Sequence, residues 1–333
     1  MLKSLCLLNG TSGDEGAVAE FIINEIKDYC QYYVDNLGSV VAFKKGAKVP
    51  KNRVMLCAHT DEVGFIITDI TDDGYLKFAA VGGIDSKVCL DRNITVNGIN
   101  GVIGLKPVHQ LSDAEKDEAP KFKDLFIDIG AKDKNEAMKY VKLGDFAYFS
   151  SQYYEFGNGF VKSKALDDRI GCALLIELIK QELEYDTYFV FNVQEEIGLR
   201  GSGCTAYDIQ PDISIILEAT TAADLCSVTG GDRVCVLGEG PVVSFMDSRT
   251  VYDKKLYNLA FDLAEKNSIK IQTKTAIAGG NDAGAVQQAG KGSRVLAVSL
   301  PCRYIHSPSS VVKLSDIEET RRLLKVLLEN IYD

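Results

Sequence analysis

The pair Glu195–Glu196 ends "TYFVFNVQEE", a run that reads as a buried β-strand up to Val193. Adjacent carboxylates at the rim of a core repel each other, and an arbitrary Glu-Glu pair belongs to solvated surface. Other residues capable of chemistry share the position, however. His59 follows the apolar run 54–58, Glu218 follows the strand ending at Leu217 in "DISIILEAT", and His306 lies just beyond "SRVLAVSLP". All stand at carboxyl ends of strands, the edge where open α/β sheets gather their ligands. Asp167 and Asp168, in "SKALDDRIG", open a helix, where the macrodipole favours negative charge. The chain has 3 histidines. Two fall in this set, and the third, His109, reads as a surface residue near Pro107.

A lone histidine beside a strand is more often a hydrogen-bonded structural residue than a ligand. Two histidines among four or five carboxylates are a different arrangement, because converging carboxylates without cations would destabilise the fold or be driven to protonate. Two divalent ions supply four positive charges; three ligating carboxylates and one bridging hydroxide return four negative ones, and two neutral imidazoles complete the shells. On this balance one glutamate of the pair binds a metal while its neighbour, turned elsewhere by the backbone, faces the bridging water without ligating.

The elements that must position these groups follow an α/β rhythm. Residues 14–30 space their apolar side chains as one helix face, with Ser12 and Glu15 as a capping box, and "NRVMLCAHTDEVGF" gives a strand covered on both faces. From about Gly64 to Phe149 the texture changes to short β-rich runs separated by turn signals, with "KNEAMKYV" helical and "LSDAEKDEAPKFKD" a charged, mobile loop. After Gly157 strands and helices alternate again, to a last helix expected to begin at Ser315 with Glu318 in a second capping box. The expected architecture is α/β: a mixed, largely parallel sheet with helices on both faces, formed by residues 1–62 and 156–333, plus an inserted small β-barrel or sandwich over 63–155.

At 333 residues the chain exceeds the size at which one core stops growing, in agreement with two units. A net charge of −10 argues against a nucleic-acid surface, which needs clustered Lys and Arg. Nothing approaches the apolar length of a membrane span. The 9 cysteines are scattered without a CxxC pair, which reads as free, mostly buried thiols in a reducing, cytoplasmic setting. The glycine-rich segments "GGDR" and "AGGNDAGA" lack P-loop spacing, and the second reads as a tight turn with Asp282 starting a helix. Arg303 could steer a peptide backbone or pair with an internal carboxylate.

The segments "AHTDEVGF", "KALDDRIG", "VQEEIGLRGS", "AGGNDAGA" and "RYIHSP", with "LLNGTSGDEGAVAEFI" before them, run in order through nearly the whole chain. Together they resemble the dinuclear metalloaminopeptidases that include the tetrahedral, leucyl and glutamyl aminopeptidases and proteins once labelled endoglucanases. The resemblance implies an α/β zinc-peptidase core with an inserted dimerisation domain, and homodimers that build tetrahedral dodecamers. It implies that Asp167 bridges two metals, with His59 and Glu218 completing one site and Glu196 and His306 the other. Glu195 would be the general base and Asp61 the partner that orients His59. "LEATTAAD" departs from members that carry aspartate where Glu218 stands, and Asp224 is the alternative ligand. The implied reaction is removal of the N-terminal residue of short peptides by a metal-bridging hydroxide, with zinc, cobalt or manganese as the ions. Three rivals stay open: a glycosidase using paired carboxylates, a cysteine hydrolase built on Cys302 and His306, and a non-catalytic metal-binding scaffold.

Overall fold

The computed structural model describes residues 1–332, leaving aside the side chains at 114 and 115. Its centre is an eight-stranded sheet, in spatial order 31–34, 40–44, 187–192, 54–59, 213–221, 294–302, 242–243 and 272–273. The four middle strands, from 187–192 to 294–302, are mutually parallel, and antiparallel neighbours flank them on both sides. Register brings Asn192 beside His59 and Glu218 beside Ser299, so the polar residues emerge together at the carboxyl edge. Side chains alternate between the two faces, as pleating requires. Leu56, Phe189, Ile215 and Leu296 pack with the helix Leu166–Ile179, while Cys57, Val190, Ile216 and Val295 pack with Ala206 and Val286 on the opposite face. Being covered on both sides, the middle strands carry near-continuous apolar sequence.

Between Gly64 and Phe149 six strands close into an antiparallel barrel with its own core, in which Phe65 meets the rings of Phe78 and Phe149 edge-on with centroids 5.0 Å apart. Closure leaves no unpaired edge. The chain leaves the barrel after Phe149, and its next strand, Tyr154–Phe156, pairs with Phe160–Ser163 in a separate three-stranded sheet. Entry to the barrel is tight: a Cβ on Gly64 would lie 2.1 Å from Thr11 Oγ1.

Several local expectations give way. A short helix, Leu2–Leu7, precedes the expected first one, which spans Gly16–Ile26. Neither capping box forms. Ser12 and Glu15 are drawn into contacts far along the chain, and the last helix starts at Leu314 with no side-chain cap while Glu318 pairs with Arg321. The charged loop contains a short helix, Asp113–Asp117, and a 3-10 turn, Phe122–Asp124. All nine cysteines are free, but Cys204 and Cys226 are exposed. No helix among the described residues is long and apolar enough to cross a membrane.

Candidate dinuclear metal centre

His59 is the last residue of its strand and fully buried. Its Nδ1 faces Asp61, 3.1 Å from the backbone oxygen and 3.4 Å from Oδ1, which turns Nε2 toward Asp167 Oδ1 at 3.3 Å and Glu218 Oε2 at 3.6 Å. His306 arrives from the other side. Its Nδ1–H donates to the carbonyl of Gly83, in a barrel loop, at 2.8 Å, and its Nε2 lies 3.4 Å from both Asp167 Oδ2 and Glu196 Oε1. The two oxygens of one carboxylate thus face the Nε2 atoms of two different imidazoles. In both rings the other nitrogen is held by an oxygen, the arrangement that fixes a metal-binding tautomer.

Asp167 reaches this position because the backbone leaves helical geometry at Asp167 and Asp168 before the helix settles into its run to Ile179. Glu218 lies inside the strand Ile213–Thr221 rather than after it. Ligand atoms of His59, Asp167 and Glu196 lie within 4.8 Å of one another, as do those of His59, Asp168 and Glu218. Asp168, read from the sequence only as a helix start, is therefore a further carboxylate beside the His59–Glu218 position. Its adjacency to Asp167 was the available signal. Asp224 is not at the centre: its carboxylate binds Arg303 Nε and Nη2 at 2.6 and 2.7 Å, so the alternative ligand falls away and Arg303 is the partner of an internal carboxylate.

The electrostatics fit cations. Glu218 Oε1 and Asp168 Oδ2 are buried without a hydrogen-bond partner, a costly state unless another charge meets them. Burial, reinforced by neighbouring carboxylates, pushes the Glu195 and Glu218 carboxyls well above the ordinary range, and pushes Glu196 up to about 7 against the pull of His306. His306 rises to about 9 despite burial, because Asp167 and Glu196 favour its charged form. Asp61 goes the other way. Burial would raise it, but His59, Ser12 and the Glu195 amide hold it low. These shifts follow from carboxylates and imidazoles crowded into one buried space, and carboxylates with imidazoles suit zinc, cobalt and manganese alike.

Among the described residues no hydrogen bond or ion pair joins Glu195 to a histidine, but it shares the wall of a cavity of about 570 Å³ with Asp167, Glu196, Glu218 and His306; Arg249 and Lys274 also line it. Cys302 is fully buried, burial drives its thiol far up, and the His306 ring faces Gly83, Asp167 and Glu196 instead. A thiolate nucleophile has no support there. Asp282 precedes the helix Ala283–Val286 as expected, but its Oδ2 accepts from Asn192 Nδ2 at 2.8 Å rather than capping the helix. Sequence reasoning also missed Ser12 and Glu15, which reach the site from the N-terminal segment: Ser12 Oγ donates to Asp61 Oδ2 at 2.6 Å, and Glu15 Oε1 accepts from the Gln194 amide at 3.1 Å.

Residues 38–323 match the model of the M42 glutamyl aminopeptidase family. The chain is 32% identical to the lysyl aminopeptidase of Pyrococcus furiosus over 99% of its own length and 96% of that protein's. Among solved structures, it superposes on a TET aminopeptidase from the archaeon Thaumarchaeota archaeon SCGC AB-539-E09 with a TM-score of 0.95, at 33% identity and covering 99% and 95% of the two chains. The Pyrococcus horikoshii TET1 peptidase, described as able to assemble into a tetrahedron or a large octahedral shell, gives 0.87 at 37% identity, covering 98% of each chain.

Proposed function

The chain belongs to the M42 glutamyl aminopeptidase family, and from that premise we propose that it removes the N-terminal residue of short peptides at a centre of two divalent ions. The observation that carries this reading is the Asp167 carboxylate, whose two oxygens each face the Nε2 of a different histidine. His59 and Glu218 would hold one ion, Glu196 and His306 the other, with Asp167 shared. When bound, the ions supply Lewis acidity toward the scissile carbonyl and make water acidic enough to ionise near neutrality. Glu195 takes the proton of the attacking water and returns it to the departing amine, work suited to a carboxyl whose proton affinity burial and neighbours have raised. Asp61 orients His59 and holds the backbone of both glutamates, donating no ligand itself. A glycosidase would need two carboxyls spaced across a sugar and has no use for two imidazoles converging on a third.

The catalytic unit spans residues 1–62 and 156–333, and the insert 63–155 serves as the contact between copies of the chain. Aminoacyl chromogenic substrates test the activity: hydrolysis should vanish with EDTA and return with zinc, cobalt or manganese. Glu195→Gln should retain two ions per chain yet lose about 10²- to 10⁴-fold in kcat, the usual worth of a positioned acid–base group. Near-normal turnover in Glu195→Gln would remove it from the role of base, and activity indifferent to chelation would remove the metals.

A further inference from the structure

The amides of Gln194, Glu195 and Glu196 come off the end of a strand one after another, and each is taken by a carboxylate oxygen. Gln194 N–H donates to Glu15 Oε1 at 3.1 Å, Glu195 N–H to Asp61 Oδ1 at 3.0 Å, and Glu196 N–H to Asp61 Oδ2 at 3.1 Å. Gln194 itself lies at φ 58°, in the left-handed region. That conformation is strained for a residue with a side chain and persists only where the surroundings impose it. Glu15 is only 5% exposed and stands directly before the helix Gly16–Ile26, yet it makes no side-chain cap. Its carboxylate is held instead by the local backbone at Gly13 and Glu15 and by an amide 179 residues further along the chain, that of Gln194. Of these bonds only the one to Gln194 reaches beyond the local segment, and it ties Glu15 to the turn beside the candidate base.

We propose that Glu15 is a positioning residue for the reaction: by holding the Gln194 amide it keeps the left-handed turn that aims the Glu195 carboxylate into the cavity. The inference rests on the reading of Glu195 as the general base. Asp61, braced by Ser12, grips the turn on one side of the left-handed residue and Glu15 grips it on the other. Without Glu15 the Gln194 amide loses its acceptor, and the turn is left to Asp61 and to the Gln194 and Glu195 carbonyls, which accept from the amides of Arg200, Gly198 and Leu199, so the Glu195 carboxylate is aimed less firmly. His59, Asp167, Glu218 and His306 stand on other segments, and Glu196, on the same turn, keeps its own amide bond to Asp61 Oδ2, so both ion positions and substrate capture persist while proton transfer fails.

The test uses zinc-loaded protein and four variants: Glu15→Ala, Glu15→Gln, Glu195→Gln and the double variant Glu15→Ala with Glu195→Gln. Glu15→Ala should bind two zinc ions per chain, keep KM, and lose about 10²-fold in kcat, the scale on which a misplaced group slows an enzyme. Glu15→Gln, whose amide oxygen accepts the same N–H, should recover most of the rate. In the Glu195→Gln background Glu15→Ala should cost nothing more, because residues acting through one group are not additive. If Glu15→Ala does not fold, Glu15→Asp, one methylene too short for Gln194, replaces it with the same expectation. Wild-type kcat in Glu15→Ala, losses that multiply in the double variant, or a Gln variant as slow as Ala would each overturn the positioning role. Turnover surviving in Glu195→Gln would instead overturn the underlying assignment of the base, a distinct result.

Discussion

Glu196 and His306 lie 3.4 Å apart with both proton affinities raised, Glu196 from 4.5 to about 7 and His306 from 6.5 to about 9. A carboxyl that keeps its proton to about 7 when folded, but loses it near 4.5 when unfolded, stabilises the fold at low pH and ceases to do so as pH rises through that window. The histidine has the same sign: its contribution is complete below 6.5 and is lost as pH rises through about 9. Asp167 and Asp61, held low, add stability that disappears only below their ordinary 3.8, outside this range. The chelated protein should therefore show a melting temperature that falls from pH 4.5 to 9, whereas the metal-loaded protein, with cations in place of those protons, should gain most at the upper end. Parallel profiles with and without metal, read by calorimetry, would mean that the ions bind elsewhere. The residues of this cluster were legible in sequence because histidines and acids at strand ends are conspicuous. Asp168 was not, since a helix start explains an aspartate locally and only the turned backbone carries it to His59.

At the scale of elements, the site is braced from behind by the N-terminal segment. Arg169, fully buried one residue beyond Asp168, donates from Nε to the Thr60 carbonyl at 2.8 Å and from Nη1 and Nη2 to the carbonyls of Leu5, Leu8 and Gly10, with Glu62 Oε1 at 3.7 Å. Lys164 adds 2.6 Å to the same Glu62 and reaches Leu8 and Asn9. One guanidinium thus ties the segment after His59, the helix carrying Asp167 and the chain's first turn into a single block. Replacing it with alanine would leave Glu62 with Lys164 alone and strand several buried carbonyls. Arg169→Ala should cost about 3–5 kcal/mol, the range for breaking a buried pair, and the denaturant midpoint reads it. A midpoint unchanged from wild type would show that water replaces the guanidinium without loss. This bracing was illegible because its partners are backbone carbonyls, which have no residue type. The helices and strands themselves were readable from apolar spacing, while the first capping box failed because a cap motif is a local alternative that a stronger distant partner can displace; in the second, the helix starts ahead of Ser315 and Glu318 turns to Arg321 three residues on. Ser12 found Asp61, and Glu15 found the turn at Gln194.

For the whole molecule, the α/β rhythm and the β-rich insert were legible as texture, but the strand order was not. Strand 187–192 inserts between 40–44 and 54–59, and strand 54–59 itself between two strands that come later in sequence, an arrangement set by crossovers that no single segment encodes. Nor was it visible that the insert reaches the catalytic edge, where Gly83 fixes the His306 ring. The barrel's closure bears on assembly. With no free edge to add strands to, the barrel offers only side chains to any contact between copies. Met138, Tyr140 and Leu143, close together in sequence on the insert, are 55%, 50% and 63% exposed and are the side chains there on which the proposed contact between copies is tested. On the proposed role of the insert, the chain, 36.4 kDa alone, should run in solution as a multiple of that mass. Met138→Glu combined with Leu143→Glu should shift sedimentation toward smaller species while leaving zinc content intact, because neither residue touches the ligand cluster. A wild-type mass of 36.4 kDa would remove self-assembly altogether, and an unchanged particle in the double variant would move the contact to another face of the barrel or to the α/β unit.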